Sequence, residues 1–200
     1  MKNKKIIRKI TQGMYILTTN DGGCIVDAVS QVSSGDNPLI SVSVMKNNYT
    51  NELLKNNDKF CLSILGKDVD GEIIKTFGFN SMRDIDKFEN IDVTLINDLN
   101  VINDSLGYMI CEKVDSIDCD THTLFIGKLV GCDMFEDQEA MSYQYYQDHK
   151  DELIKVKTES GKSAWVCTIC GYVVYEDELS DDFKCPICGV GKELFVKKDS

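Results

Sequence analysis

Residues 13–45, GMYILTTNDGGCIVDAVSQVSSGDNPLISVSVM, alternate short runs rich in Val, Ile and Thr with turn residues. Runs of this kind predict β-strands at residues 13–19, 23–34 and 38–45. Asn20-Asp21-Gly22-Gly23 separates the first two strands, and we expect it to supply the positive-φ positions of a tight hairpin. The stretch therefore predicts an antiparallel sheet in which hairpins connect the strands.

Four more strand-like segments and two helices follow. The strands are expected at residues 59–65, 93–98, 105–115 and 122–135, and their density favours an antiparallel barrel or sandwich. Helices are expected at residues 49–57, with Thr50 as N-cap, and at residues 68–79. Their inward-facing residues are expected to be Leu53, Leu54, Ile73, Ile74 and Phe77.

The charge of the chain excludes two classes of partner. A formal net charge of −11 and a pI near 4.6 oppose the contacts that nucleic acid or an anionic membrane surface requires. Nowhere do apolar residues run for the roughly 18 positions of a membrane span. The basic N-terminus does not continue into an apolar run, so we expect no export signal and a cytoplasmic protein.

Nine cysteines fit a reducing compartment, where thiols stay free or bind metal. Five of them are scattered singly through apolar segments, and we expect each to be a small buried residue. These five are Cys24, Cys61, Cys111, Cys119 and Cys132.

The other four cysteines lie in residues 164–195, AWVCTICGYVVYEDELSDDFKCPICGVGKELF. Cys167 and Cys170 form one C-x2-C pair, Cys185 and Cys188 form another, and fourteen residues separate the pairs. Two such pairs can form a tetrahedral sulfur site for zinc or iron. Spacing alone does not select the metal, so a structural zinc ribbon and an electron-transfer iron site both remain open.

The residues around these cysteines resemble rubredoxin, in the short-loop version that is attached to other redox proteins. The resemblance implies one iron held by four thiolates and exchanging a single electron. It is carried by Trp165, Gly171, Tyr172, Pro186, Gly189, Lys192 and Phe195.

Most of the preceding chain resembles the flavin reductase family of FMN-binding split barrels. The resemblance is carried by residues 13–65, 77–88, 121–130 and 141–146, and with the tail the arrangement is of the high-molecular-weight rubredoxin type. It implies a mainly β fold, a six-stranded antiparallel split barrel that forms a homodimer and binds FMN, followed by a small rubredoxin-like metal domain. The implied domains are residues 1–146 and 164–200, joined by a linker at 147–163 that begins with a helical turn.

Two groups of residues are candidates for the FMN site. Polar and backbone groups of the second strand would contact the flavin ring and ribityl chain, and the N-terminus of the first helix suits the phosphate. For each group the alternative is a structural role: solvent-facing serines, a surface charge, a helix cap or a loop ion pair. The first group is Asp27, Ala28, Val29, Ser30, Gln31 and Ser33, and the second is Lys46, Tyr49, Thr50, Ser81 and Arg83.

The resemblance also implies a role for His122, and two departures from the family pattern qualify it. His122 would lie beside the flavin and donate a hydrogen bond to nicotinamide or reduced flavin, unless it is a structural histidine. Relatives usually have Asn-Thr where this chain has Asp27-Ala28, which places a carboxylate near an anionic cofactor. Relatives also tend to have Gly where Met82 stands.

The implied function is electron transfer from NAD(P)H through FMN and iron to a partner, by family analogy a flavodiiron protein. FMN accepts electrons in pairs and the iron one at a time, which explains why both modules share a chain. The acidic residues 175–182 would dock a basic partner, or else form a solvated loop. The alternatives are a binding module with a zinc ribbon, and an electron carrier that does not oxidise nucleotide directly.

Overall fold

The computed structural model describes residues 4–154 and 163–198, which divide into two units, Met1–Tyr145 and Tyr146–Ser200. In the first unit the strands are β1 Tyr15–Thr19, β2 Gly22–Val26, β3 Val29–Gln31, β4 Leu39–Met45, β5 Lys59–Ile64, β6 Val93–Ile96, β7 Leu99–Ile102, β8 Gly107–Cys119 and β9 His122–Met134. The helices are α1 Tyr49–Asn56, α2 Gly71–Phe79 and α3 Tyr143–Leu153, with a 3-10 turn at Lys4–Lys9. No helix in the described ranges is long and apolar enough to span a bilayer.

Seven strands form one antiparallel sheet in the order β2-β1-β5-β8-β9-β4-β3. The sheet is curled, because Cys24 and Val26 near one edge pack in the same apolar cluster as Val42 and Val44 near the other. Phe125 and Leu54 complete the centre of this cluster, and both are fully buried. The predicted mainly β, antiparallel half-open barrel is therefore confirmed.

The predicted strand at residues 23–34 is wrong in one respect, because it is two strands. β2 pairs with β1 at one edge of the sheet and β3 pairs with β4 at the other, and the chain crosses between them at Asp27-Ala28. Ser43 N donates to Ala28 O at 3.1 Å on the β4 side of this crossing. If β2 and β3 are counted as one path, the barrel has the six strands implied by the resemblance.

The hairpin between β1 and β2 forms at the predicted place but not with the predicted backbone. Thr19 pairs with Gly22, so Asn20 and Asp21 alone make the turn, and neither glycine has a positive φ. Gly23 is required for a different reason. A Cβ there would lie 2.5 Å from Leu17 O, so only glycine allows the strands to approach this closely.

In the second hairpin, β6–β7, the sequence predicts the first strand but not the second. The expected strand at residues 93–98 ends at Ile96, and Asn97 and Asp98 turn the chain with φ values of 50° and 64°. The returning strand β7 packs against the outer side of β5 and β8. Its residues Leu99 and Val101 are fully buried there, although their short segment carries little strand signal.

Both predicted helices are present, but the predicted cap of α1 is wrong. The N-cap is Asn48, whose Oδ1 accepts from Thr50 N at 2.9 Å. Thr50 is the second residue of the helix, and its side chain is buried beside the Cys24 sulfur. Asp70 caps α2 in the same way as Asn48 caps α1.

The long hairpin β8–β9 is exposed in two places, at residues 112–119 of β8 and 128–134 of β9, whereas the start of β9 pairs with β4 and is largely buried. Cys119 lies in the first of these segments and Cys132 in the second, and both are exposed, so the prediction of burial is wrong for these two. It is confirmed for Cys24, Cys61 and Cys111. The two segments also expose the apolar residues Val114, Ile117 and Val130.

Lys87 is a buried cation that joins three elements of the barrel. Its side chain is 3% exposed, and Nζ donates to Gly23 O at 2.9 Å and to Phe77 O at 3.2 Å. These bonds tie the loop after α2 to the β1–β2 hairpin. Burial lowers the pKa of Lys87 to about 8.

This lowered pKa predicts a pH-dependent stability difference between the wild type and Lys87→Met. Between pH 8 and about 10.5 the unfolded chain still holds the lysine proton that the folded chain has released, so the free energy of unfolding rises with pH. The wild type should gain up to about 3 kcal/mol relative to Lys87→Met across this window. Urea unfolding of both proteins at several pH values measures the difference, and parallel profiles would contradict the prediction.

Helix α3 occupies the beginning of the predicted linker. Residues 147–153 are helical rather than coil, and Ile154 after them is buried. Residues 155–162, the rest of the predicted linker, lie outside the described residues. The remaining elements of the second unit are β10 Ala164–Cys167, β11 Val173–Tyr175, a 3-10 turn at Lys192–Leu194 and β12 Phe195–Lys198.

Candidate metal centre and flavin site

The four predicted metal ligands come together in the second unit. The sulfur atoms of Cys167, Cys170, Cys185 and Cys188 all lie within 4.8 Å of one another, with separations of 3.6 Å for Cys167–Cys188 and 3.5 Å for Cys170–Cys185. Metal–sulfur bonds of about 2.3 Å give a tetrahedron with edges of about 3.8 Å. A disulfide needs a separation near 2.05 Å. The sulfur cage therefore fits a single tetrahedral metal ion.

The two cysteine pairs lie on matching backbone turns. In each turn the glycine after the second cysteine has a positive φ, +81° at Gly171 and +73° at Gly189. Each glycine N–H donates to the carbonyl of the first cysteine in its pair, at 2.9 Å to Cys167 O and 2.8 Å to Cys185 O. These angles turn the chain directly after each cysteine pair.

Hydrogen bonds to sulfur favour the thiolate form of Cys185, whereas the neighbouring Cys185 sulfur and burial raise the pKa of Cys170, and burial raises the pKa of Cys188. The Cys170 thiol, and then the backbone N–H groups of Cys188 and Ile187, lower the pKa of Cys185 to about 5. The backbone N–H of Tyr172 likewise donates toward the Cys170 sulfur. Thiolates are the metal-binding form of cysteine, and donors to sulfur tune the potential of a bound iron.

A small aromatic core supports the cage. Phe183 and Phe195 meet edge to face with ring centroids 5.2 Å apart, and Leu179 is buried beside them. Trp165 Nε1 donates to Glu176 O at 3.0 Å, which fastens β10 to the end of β11. Cys167 and Cys185 are buried in this core, whereas Cys170 and Cys188 are partly exposed. The side of the cage formed by Cys170 and Cys188 is therefore the side nearest the solvent.

Substitution of either glycine by alanine should destabilise the metal site, and the loss should be larger at Gly171 than at Gly189. Both have left-handed backbone angles, which cost an alanine roughly 1–2 kcal/mol. At Gly171 the added Cβ would also lie 3.0 Å from the Tyr146 hydroxyl, whereas at Gly189 nothing lies within 4 Å. Gly171→Ala should lower the melting temperature of the metal site more than Gly189→Ala, as followed by its visible absorption. Equal losses would show that the contact with Tyr146 is unimportant.

The residues predicted to contact the flavin ring lie at and after the barrel crossing. Ser30 and Gln31 are exposed on the edge strand β3. Gln31 Nε2 donates to Ser33 O, and Ser33 Oγ accepts from Leu39 N, each at 2.9 Å. Gln31 and Ser33 thus shape the loop between β3 and β4, while Ser30, Gln31 and the open edge of β3 present polar groups to a ligand.

Asp27 and His122 lie close enough to interact electrostatically. Burial raises the pKa of Asp27, while the N–H groups of Asp27 and Ala28 and the charge of His122 act to lower it. Thr121 Oγ1 lies 2.8 Å from His122 Nδ1. This contact orients the imidazole and directs Nε2 elsewhere. His122 is therefore positioned to offer one ring nitrogen to a ligand.

The predicted phosphate residues form two ion-paired groups. The Arg83 guanidinium lies 4.5 Å from the centroid of the Tyr49 ring and pairs with Glu52 on α1, and Ser81 Oγ accepts from Arg83 N at 3.1 Å. Lys46 pairs with Asp118 at 2.6 Å. Among the described residues, no hydrogen bond or ion pair joins these groups to Ser30 or Gln31. Sequence reasoning missed the two carboxylates, because they lie 31 and 72 residues from their partners.

The donor chemistry of these groups suits a phosphate group. Arg83 and Lys46 are cations near the N-terminus of α1, where the helix dipole also favours an anion. Thr50 is buried and its backbone N–H already donates to Asn48 Oδ1, so it supports the first turn of α1 rather than offering a donor of its own. Met82 packs within 2.9 Å of the Cβ position of Gly22, which explains how a large residue is accommodated where relatives tend to have glycine.

Comparison with known families agrees with this arrangement. Residues 7–153 match the flavin reductase like domain, which is nearly three quarters of the chain. The chain belongs to the flavin reductase-like family. Beyond that domain, residues 165–196 match the rubredoxin-like domain of rubrerythrin and include all four cysteines of the sulfur cage.

Two relatives share much of the sequence of this flavin reductase-like protein. A high molecular weight rubredoxin of Moorella thermoacetica is 32% identical over 224 aligned positions, covering 96% of this chain and 97% of that protein. A ferric-chelate reductase (NAD(P)H) of Archaeoglobus fulgidus is 30% identical over 69% of this chain and 85% of its own length. The first relative therefore resembles this protein across both of its domains.

A solved structure shares the barrel. The NADH:FAD oxidoreductase SgcE6 of Streptomyces globisporus C-1027 matches with a TM-score of 0.62 at 18% identity, over 70% of this chain and 85% of that chain. This likeness shows the fold alone. Together with family membership and the sulfur cage, it makes this chain a flavin-dependent oxidoreductase fused to a rubredoxin-like domain, as the sequence predicts.

Proposed function

We propose that this protein transfers electrons from NAD(P)H, through FMN in the barrel and one iron in the sulfur cage, to a partner protein. The observation that supports this most is the tetrahedral set of four thiolates on the same chain as a flavin reductase-like domain. A bound flavin accepts two electrons together and a thiolate-bound iron exchanges one. The fusion would therefore convert paired electrons into single ones.

The residues of the barrel would hold FMN at both ends. We assign Asp27, Ala28, Val29, Ser30, Gln31 and Ser33 to the ring and ribityl chain, and Lys46, Tyr49, Ser81 and Arg83 to the phosphate, with Thr50 supporting the first turn of α1. A phosphate at the second group would compete with Glu52 for Arg83, an exchange that costs little because exposed ion pairs are weak. The Asp27 carboxylate would act against an anionic flavin unless it is protonated, and burial already favours protonation.

His122 would orient the nicotinamide during hydride transfer. The Thr121 hydroxyl forms a hydrogen bond with Nδ1 of the imidazole. Nε2 is therefore the atom that would donate to the nicotinamide carboxamide or to reduced flavin. No other histidine occurs in the barrel domain, because His149 lies on α3. The imidazole would act by positioning the nucleotide rather than by a covalent step.

The exposed second half of β8 would form the homodimer seam. Val114 is 54% exposed and Ile117 is 47% exposed, and both lie beyond the part of β8 that pairs with β5. A second copy of the chain would bury these apolar side chains. This is the assembly that the family resemblance implies.

The acceptor would dock on the acidic side of the metal domain. Exposed carboxylates at Glu176, Asp177, Glu178 and Asp182 lie between the two cysteine pairs. They suit a partner with a basic docking surface, and association should weaken as salt increases. By family analogy we propose a flavodiiron protein, and its setting would be the reducing cytoplasm that the free thiols suit.

Anaerobic mixing with NADH or NADPH tests the proposed donor. We expect the visible bands of oxidised flavin to bleach first and those of the ferric centre to follow, with one nucleotide reacting faster than the other. The His122→Asn variant should bleach flavin at least about tenfold more slowly, because an orienting hydrogen bond is lost. An unchanged spectrum with both nucleotides would mean that another protein delivers the electrons.

A further inference from the structure

One face of helix α3 is bonded to the first cysteine turn, side chain by side chain. Tyr146 Oη donates to Cys170 O at 2.8 Å, Gln147 Nε2 donates to Ile169 O at 2.8 Å, and Lys150 Nζ donates to Thr168 O at 2.6 Å. The three side chains stand at positions i, i+1 and i+4, which share one face of a helix. Three consecutive carbonyls of the turn that carries Cys167 and Cys170 are thus held by one helical surface.

The same helix is anchored to the metal domain at its C-terminal end. Ile154 is 3% exposed, and Ile154 Cδ1 approaches the Cβ position of Gly171 to 3.3 Å. Asp151 pairs with Lys198 of β12 at 3.0 Å. Residues 146–154 therefore form part of the fold of the metal domain, whereas the sequence predicts only a helical turn at the start of a linker.

The two cysteine turns differ in this respect. Their backbone bonds match, yet the three α3 side chains all donate to carbonyls of the first turn. A hydrogen bond to a peptide carbonyl polarises the whole peptide unit and strengthens the N–H on its other side. Those N–H groups in the first turn belong to Ile169, Cys170 and Gly171. The first two occupy the positions from which Ile187 and Cys188 donate to the Cys185 sulfur in the second turn.

Lys150 also brings a charge that no carboxylate neutralises in the described structure. Its Nζ contacts the neutral acceptors Thr168 O and Gln147 Oε1, the latter at 3.1 Å. Lys192 and Lys198 of the same domain are instead ion-paired with Asp181 and Asp151. Lys150 is partly buried against the turn, so its charge is less screened by solvent than an exposed lysine's.

We propose that the α3 face formed by Tyr146, Gln147 and Lys150 is a positioning element of the metal centre, and that the Lys150 ammonium raises the reduction potential of the iron. Reduction adds one electron and takes the four-thiolate centre from a formal charge of minus one to minus two. A nearby cation stabilises the more negative state. This inference rests on the proposed function only in that the cage must hold iron.

An EPR-monitored potentiometric titration of the full-length protein tests this role. The ferric signal reports the iron alone, so flavin and nucleotide do not enter the result. Lys150→Met keeps the aliphatic stem but removes the charge, and it should lower the equilibrium constant for reduction about tenfold, a shift of about 59 mV for one electron. Lys150→Arg should restore most of the potential.

Lys197→Met is the matched control. Lys197 is exposed and lies over the Trp165 ring, 5.5 Å from its centroid, whereas Lys150 is partly buried and bonded to the first turn; loss of either changes the net charge equally. We expect it to shift the constant by less than about twofold. Equal shifts in Lys150→Met and Lys197→Met, or none in Lys150→Met, would overturn the inference.

A second variant covers the case in which Lys150→Met binds too little iron. Gln147→Met removes the amide and leaves the aliphatic stem, and loss of its bond to Ile169 O, which polarises the Cys170 N–H, should lower the equilibrium constant about threefold. An unchanged constant in Gln147→Met would then overturn the inference. Iron that is absent from the wild type itself would reject the proposed function, whereas iron that is present but insensitive to α3 would reject only this inference.

Discussion

Cys185→Ser is expected to abolish electron acceptance by the metal domain while flavin reduction by nucleotide keeps its normal rate. Cys185 is the buried sulfur that receives two backbone N–H groups, and its pKa is the one lowered to about 5. A serine hydroxyl ionises far less readily than a thiol and is a poor ligand for iron. The cage should therefore lose its metal or its redox activity, and electrons should stop at the flavin.

Stopped-flow absorption under anaerobic conditions measures both steps in one experiment. In Cys185→Ser the flavin bands should bleach as in the wild type, and the ferric bands should be absent throughout. Cys132→Ser is the matched control, because it makes the same atomic change at an exposed cysteine outside the cage. If Cys185→Ser slows flavin reduction as severely as it disables the iron centre, the two modules do not act in the proposed order.

Arg83→Met should weaken FMN binding about thirtyfold. A charge-assisted hydrogen bond to phosphate contributes about 2 kcal/mol, and each 1.4 kcal/mol corresponds to roughly tenfold in affinity. The substitution also leaves Glu52 without its basic partner, so an unpaired carboxylate would face the phosphate. Riboflavin, which lacks the phosphate, should bind Arg83→Met and the wild type equally well.

Fluorescence titration of apoprotein with FMN and with riboflavin measures this difference. Lys59→Met serves as the control, because Lys59 is also ion-paired, with Glu112 at 3.5 Å, but no part of the proposed site includes it. Its FMN affinity should stay within about twofold of the wild type. Equal weakening of FMN and riboflavin by Arg83→Met would mean that Arg83 supports the fold of the loop rather than binding phosphate.

The sequence predicts most of the barrel because its signals are local. Alternating β-branched residues indicate β1, β4 and β5. Two adjacent leucines indicate the buried face of α1, and two adjacent isoleucines indicate that of α2. The sulfur cage is equally local, since each C-x2-C pair needs only its own turn. Periodicity and spacing are sufficient wherever the decisive contacts are made within a few residues.

The features that the sequence did not reveal depend on contacts between distant residues. Nothing local shows that the chain crosses the barrel at Asp27-Ala28, because the two halves of that segment pair with different strands. Asn48 and Thr50 are both good caps, and only the burial of Thr50 against Cys24 separates them. The polar residues of α3 suggest a solvated linker until the carbonyls that they bind are seen.

The most direct test is an anaerobic reductive titration of the purified protein, with metal analysis of the same sample. Our account predicts about one iron and one flavin per chain and an uptake of about three electrons, two by the flavin and one by the iron. The ferric signal should disappear during the titration. Zinc in the cage, with an uptake of only about two electrons per chain, would contradict this account.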